Sequence, residues 1–223
     1  MKQRLLMLAA GVALFLTSCK TKEEARTLPP STDKVAILQH PVADYDRWRP
    51  VFDADDAARQ SFGLTTIGVG RGIENPNQVI MYFRMEDTAR ANVCMMRPEL
   101  KPLMDSAGVT AAPTVEYVNV LRNDTANTDI TDRVLVKHKV KDFDAWLKVY
   151  DNEGMETRKS HGIIDRAIAR GMDDPNMVYI VFAISDWDKA NARLGSEALK
   201  KTMSDAGVEG PPEAVKYKIE MMK

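Results

Sequence analysis

Three histidines occur in this 223-residue sequence, and an imidazole titrates close enough to neutrality to serve as a general acid or base. Two of them stand in matching surroundings. His40 opens the run His40-Pro41-Val42-Ala43-Asp44-Tyr45-Asp46-Arg47-Trp48, and His138 opens His138-Lys139-Val140-Lys141-Asp142-Phe143-Asp144-Ala145-Trp146. Each closes an apolar stretch, on the same parity as Leu38 and Val42 or Val136 and Val140. If that face lines an interior, His40 and His138 are candidate catalytic residues. Otherwise each is a partly buried residue hydrogen-bonded at a strand end. Trp48 and Trp146 offer walls for an apolar ligand, or else core anchors beside Phe52 and Tyr150. Arg71 and Arg170 each precede a glycine. They are candidates to pair with an acidic ligand, or solvated turn charges. His161 stands where the other copy has Phe62, and is expected at the surface near a helix end.

Other chemistry finds little support. There is no His-x-His, and only two cysteines and three dispersed histidines, so no metal site is expected. The 13 methionines are scattered at core-like positions, where Met fills gaps. Gly68, Gly70 and Gly72 lie within and just after an apolar strand with no helix following, and read as strand and turn glycines rather than a phosphate cradle. No nucleophile elbow or dinucleotide fingerprint appears, and no cofactor is expected. The 31 basic and 32 acidic residues nearly cancel without blocks of one sign, which speaks against nucleic acid as a partner.

The candidates sit in a repeat. Beyond the histidine segments, Val51-Phe52-Asp53 returns as Val149-Tyr150-Asp151, and Arg71-Gly72 as Arg170-Gly171. Pro76-Asn77 returns as Pro175-Asn176, and Met104 with Ala107-Gly108-Val109 as Met203 with Ala206-Gly207-Val208. The order is collinear throughout, so residues 34–121 and 133–223 are two copies of one module joined by a polar linker, 122–132.

Each copy has one plan. Val35 to Val42 and Val134 to Val140 read as strands. Asp44 and Asp142 can cap the helices that follow, which stop at Gly63 and Gly162. A strand then ends near Arg71 or Arg170, a Pro-Asn turn follows, and the next strand spans Val79 to Met85 or Val178 to Ile184. Asp87 and Asp186 cap a second helix ending at Gly108 or Gly207, before last strands at Val115 to Leu121 and Val215 to Met221. The order βαββαβ is the α+β, ferredoxin-like plan. Its helices cover one sheet face and leave the other bare, so two fused copies are expected to pack sheet to sheet as an intramolecular pseudo-dimer.

The His138 to Trp146 segment, the Asp-Asp-Pro-Asn turn at 173–176 and the Ala-Gly-Val near 206 resemble proteins of the dimeric α/β-barrel superfamily, near the antibiotic-biosynthesis-monooxygenase-like and stress-responsive barrel domains. The resemblance covers both copies. It implies the barrel fold, but no single activity, because that superfamily includes monooxygenases, cyclases, haem-degrading enzymes and dismutases. Its cyclases place a histidine on the first strand much as here. They use further His and Tyr residues later in the module, whereas the second helix has no histidine in either copy.

The N-terminus reads as a targeting segment. Lys2 and Arg4 precede an apolar run from Leu5 to Leu16, shorter than the roughly 20 residues of a spanning helix. Leu16-Thr17-Ser18-Cys19 resembles the lipobox of bacterial lipoproteins. The resemblance implies a signal peptide at 1–18, a lipidated Cys19 anchoring the chain to a membrane, and a tether at 19–33. Lys20 favours the outer membrane, with its periplasmic and surface sides left open. With Cys19 modified, Cys94 is the one remaining thiol, expected to be buried on a helix. The expected function is an envelope lipoprotein binding a small apolar or aromatic ligand in the barrel. The alternatives are a cofactor-independent monooxygenase- or cyclase-like enzyme using His40 and His138, and a structural or protein-binding surface lipoprotein.

Overall fold

A computed structural model describes residues 27–222; Cys19 and the expected signal peptide lie outside them. The first copy runs β1 (Lys34–Pro41), α1 (Tyr45–Ala54), α2 (Asp56–Ser61), β2 (Leu64–Gly72), β3 (Gln78–Met85), α3 (Thr88–Met96), α4 (Leu100–Ala107) and β4 (Thr114–Asn123). The second repeats it as β5 (Asp132–Val140), α5 (Phe143–Glu153), α6 (Met155–Ser160), β6 (Ile163–Gly171), β7 (Met177–Ile184), α7 (Trp187–Leu194), α8 (Glu197–Asp205) and β8 (Val208–Met222).

The four expected cap aspartates all act as such. Asp44, Asp142, Asp87 and Asp186 accept the backbone N–H three residues on, at 2.8, 2.7, 2.8 and 3.1 Å. Each expected helix is nevertheless broken in two. Gly154 takes φ 82° between α5 and α6, a value open to glycine and strained for other residues. Arg97 is extended, with ψ 139°, because the ring of Pro98 disfavours helical geometry in the residue before it.

The strands close into a barrel in the order β1-β3-β2-β8-β5-β7-β6-β4. Each module contributes the sheet β4-β1-β3-β2 or β8-β5-β7-β6, and the two sheets meet through the antiparallel pairs β2·β8 and β4·β6. Strand β1 shows how one strand serves two cores. Ala36 and Leu38 pack under the helices of their own module, while Val35 and Ile37 point into the barrel lumen. The second module has its own helix–sheet core around Val136, Phe143, Trp146 and Phe182.

Two boundaries move. The expected tether is docked from Leu28 onward. Leu28 is buried in the second module's core, Ser31 N–H donates to Leu121 O at 2.8 Å, and Pro29 O accepts from Asn123 N–H at 2.9 Å. The linker is shorter than 122–132, because β4 continues to Asn123 and β5 begins at Asp132.

Beneath α2 and α6 lies a pair of buried arginines at equivalent positions. Arg59 stacks over Phe52 at 4.0 Å and Arg158 over Tyr150 at 3.8 Å. Arg158 meets Asp165 in a two-pronged contact at 2.8 and 2.7 Å, both side chains buried. At the equivalent place the first copy has Thr66, which donates to Asp56 at 3.0 Å while Arg59 contacts Asp55 and Asp56. Removing one partner of such a pair strands the other charge in the interior. Asp165→Ala is therefore expected to lower the unfolding free energy by about 3–5 kcal/mol, read from urea denaturation, whereas Thr66→Ala should cost far less.

Candidate functional site

The face of β1 and β5 that carries the histidines turns out to be the helical side. His40 and His138 are both buried, packed edge-on against Trp48 and Trp146 with centroids 5.8 and 5.5 Å apart. They lie under α1 and α5 instead of on the lumen wall, so the condition for the pair to act inside the barrel is not met. Of the two, His40 makes the hydrogen bond expected of a strand end and His138 does not. His40 Nδ1 lies 3.4 Å from Pro41 O, while neither ring nitrogen of His138 has a hydrogen-bond partner among the described residues. Burial disfavours the charged imidazole. It lowers the His40 pKa, against a raising contribution from the Pro41 carbonyl, and takes His138 down to about 4.

The other expected residues also divide. Trp48 stacks on Phe52 at 4.8 Å and helps to wall a cavity of about 80 Å³ with His40, Arg59, Met81 and Cys94. Trp146 packs against Phe143, His138 and Tyr150 as a core anchor. Arg71 lies over the Tyr45 ring at 4.1 Å and Arg170 over Phe143 at 4.4 Å. Each donates Nε–H to a turn carbonyl, Pro76 O at 3.2 Å or Pro175 O at 2.9 Å, so both clamp the β2–β3 or β6–β7 turn to the start of a helix. His161 is the residue that ends α6. Cys94 is buried on α3, its sulfur 2.8 Å from an Arg97 N–H, and burial raises its pKa.

A second cavity lies in the lumen itself. A cavity of about 230 Å³ opens among Val35, Ile37, Val118, Leu135, Ala169 and Val181, with Tyr82, Tyr179, Tyr217 and Arg133 in its walls. The linker closes over its mouth, where Asn123 to Thr128, Ile130 and Thr131 contribute. Arg166 fastens that cover, pairing with Asp124 at 2.9 Å and donating to Ala126 O at 2.6 Å. Deep in the lumen, Tyr82 and Tyr217 share a hydrogen bond of 2.8 Å. Desolvation raises both phenol pKa values, that of Tyr217 to about 12, so both hydroxyls stay protonated. Glu116 is ion-paired with Lys137 across the barrel and accepts from the Tyr179 hydroxyl at 3.2 Å. Gly70 makes room for this set, since a Cβ there would lie 2.4 Å from the Tyr217 ring.

None of these lumen residues was among the expected site residues. The available signal was the opposite parity of the same strands. Val35 and Arg133, or Val118 and Tyr217, occupy equivalent places and differ sharply in chemistry. Among the described residues no three potential metal-ligating side chains converge, and no helix is long and apolar enough to cross a membrane.

Two ferredoxin-like modules closing one barrel define the fold of the dimeric α/β barrels, folded here within one chain. Solved structures share it. The chain resembles an anthrone oxidase-like protein (TM-score 0.58, 12% identity, covering 86% of this chain and 93% of that one). It also resembles candidate monooxygenases from Fusobacterium nucleatum (TM-score 0.56, 9% identity, covering 86% and 94%) and Lactobacillus acidophilus (TM-score 0.53, 15% identity, covering 86% and 96%). At such identities the likeness is one of fold. No protein-family model and no curated protein matches the chain.

The partnerless imidazole has a measurable consequence. Unfolded, His138 titrates near its ordinary 6.5; folded, near 4. Between those values only the unfolded state takes up the proton, so stability present above pH 6.5 is lost as pH falls toward 4. The wild type should lose about 2 kcal/mol more than His138→Leu between pH 7 and pH 5, measured by urea unfolding at both pH values. Equal losses would mean that His138 does not titrate in this way.

Proposed function

We propose that this chain is a small-molecule-binding protein whose ligand, apolar or aromatic, occupies the barrel lumen. The observation that carries this reading is the lumen cavity of about 230 Å³, lined by aliphatic and tyrosine side chains and by the linker. It is smaller than the 300–1,000 Å³ typical of pockets for drug-sized ligands, which points to a compact ligand. The test is a fluorescence titration with 2-naphthol, compared with the variant Ala167→Trp. Ala167 lines the cavity on a half-buried position of β6, where an indole should obstruct it without disturbing the helix–sheet cores. Saturable binding, weakened at least tenfold by Ala167→Trp, is expected. No binding, or binding indifferent to that change, would overturn the reading.

A second reading rests on His40, which lines the apolar cavity of about 80 Å³ beside Trp48 and Cys94. A neutral imidazole there is suited to take a proton in a cofactor-independent, monooxygenase-like reaction. Should turnover of an aromatic substrate be found, His40→Ala should reduce it by at least 100-fold; unchanged turnover would remove the mechanism.

For location, we propose a lipid-anchored protein of the bacterial envelope, held at the outer membrane through Cys19. The support is the sequence Leu16-Thr17-Ser18-Cys19 behind a basic and then apolar start. Incorporation of labelled palmitate, lost together with membrane association in Cys19→Ala, is the expected result.

A further inference from the structure

The lumen contains a buried cation whose partner is missing. Arg133 opens β5 and is 3% exposed. One terminal N–H₂ donates to the backbone carbonyls of Ile130 and Asp132, the latter at 3.0 Å, while its Nε–H has no acceptor. Among the described residues no carboxylate stands within ion-pairing distance of it. The other two arginines lining the cavity are matched: Arg84 by Asp33 at 3.1 Å, and Arg166 by Asp124 at 2.9 Å. The cavity wall thus carries one uncompensated positive charge. Burying a charge without a counter-charge is strongly unfavourable, and burial lowers the Arg133 pKa accordingly. Arginine remains charged regardless, so the cost is not relieved by losing a proton.

We infer that the lumen ligand is a monocarboxylate, an apolar or aromatic body ending in one carboxylate that Arg133 receives at the linker end of the cavity. This rests on the lumen being a ligand site. The guanidinium is a planar fork matched to a carboxylate. Tyr217 pairs with Arg133 in register on β8, and its hydroxyl hydrogen-bonds Tyr82, so phenolic oxygens stand beside the charge. A single unmatched positive charge suits a monoanion better than a doubly charged phosphate. Away from the polar linker, Val35, Ile37, Leu135 and Val181 give the cavity an aliphatic stretch that suits the body of such an acid. The first copy has Val35 where the second has Arg133, so the pseudo-symmetry gives the cavity one such charge and a defined polarity for its ligand.

The experiment compares 2-naphthoate with 2-naphthol, nearly equal in shape and differing in charge, on the full chain at pH 7.5 by isothermal titration calorimetry. Naphthoate should bind at least tenfold more tightly than naphthol. Arg133→Met should abolish that preference, the two compounds then binding the variant within about twofold of each other. Arg133→Lys, which keeps the charge but loses the fork, should fall between. If naphthol binds in the lumen, as judged by Ala167→Trp, yet naphthoate binds no better or its preference survives Arg133→Met, the carboxylate assignment is wrong and the lumen reading stands. Binding of neither compound, or binding of both that ignores Ala167→Trp, overturns the lumen reading and the assignment with it.

Discussion

A four-stranded ferredoxin-like sheet has two edges whose backbone N–H and C=O groups need partners, and one face without helices. Both needs are met here by the other half of the same chain. Strand β2 pairs with β8 and β4 with β6, and the two uncovered faces roll into one lumen. Exposed edges invite pairing with other chains, and closure removes them. The rest of the architecture follows from this closure. The helices are confined to the outside, the lumen core of Val35, Ile37, Ile80 and Val118 is separated from two helix–sheet cores, and central strands such as β1 and β3 are buried on both faces.

Closure within one chain has a chemical consequence that a pair of identical subunits does not share. In the ring, β1 lies opposite β5 and β3 opposite β7, so the pseudo-two-fold axis runs along the lumen. Identical subunits would place every charged lumen residue twice, facing its own copy. Here the equivalent positions differ. Arg133 answers Val35, Tyr217 answers Val118, and Tyr179 answers Ile80. A lone buried cation is tolerable in such a lumen, where two would repel each other across it in a medium of low dielectric.

Legibility followed the same physics. The duplicated His-to-Trp segment, the four cap aspartates and the glycine stops made the element order readable, because each is a local signal. The tandem barrel followed from the bare sheet faces. The orientation of β1 was not readable. Leu38 and Ile37 are both apolar because both faces of the strand are buried, which removes the alternation that normally marks the inside. The parity of His40 was therefore visible while its destination was not. Arg59 and Arg158 stand at the same interval as Arg71 and Arg170, so the repeat carries one signal for both pairs and does not tell them apart. Only the structure shows that the former pair is buried and stacked on Phe52 and Tyr150, and the latter clamped outside. Arg133 gave no sign, since a basic residue beside a polar linker reads as surface.

The linker has more than a connecting part. To join β4 to β5 the chain must cross the barrel end at which β5 begins, and residues 124–131 do so directly over the cavity. Their backbone has few regular partners there. Asp124 N–H donates to Arg166 O at 2.8 Å, and the Arg166 guanidinium holds Asp124 and Ala126 from the other side. Arg133 in turn holds Ile130 O from within the lumen. The cover is thus fixed by two arginines of the second module that both line the cavity, one matched by a carboxylate and the other unmatched. Any anion that engaged Arg133 would act on the group that ties down the cover.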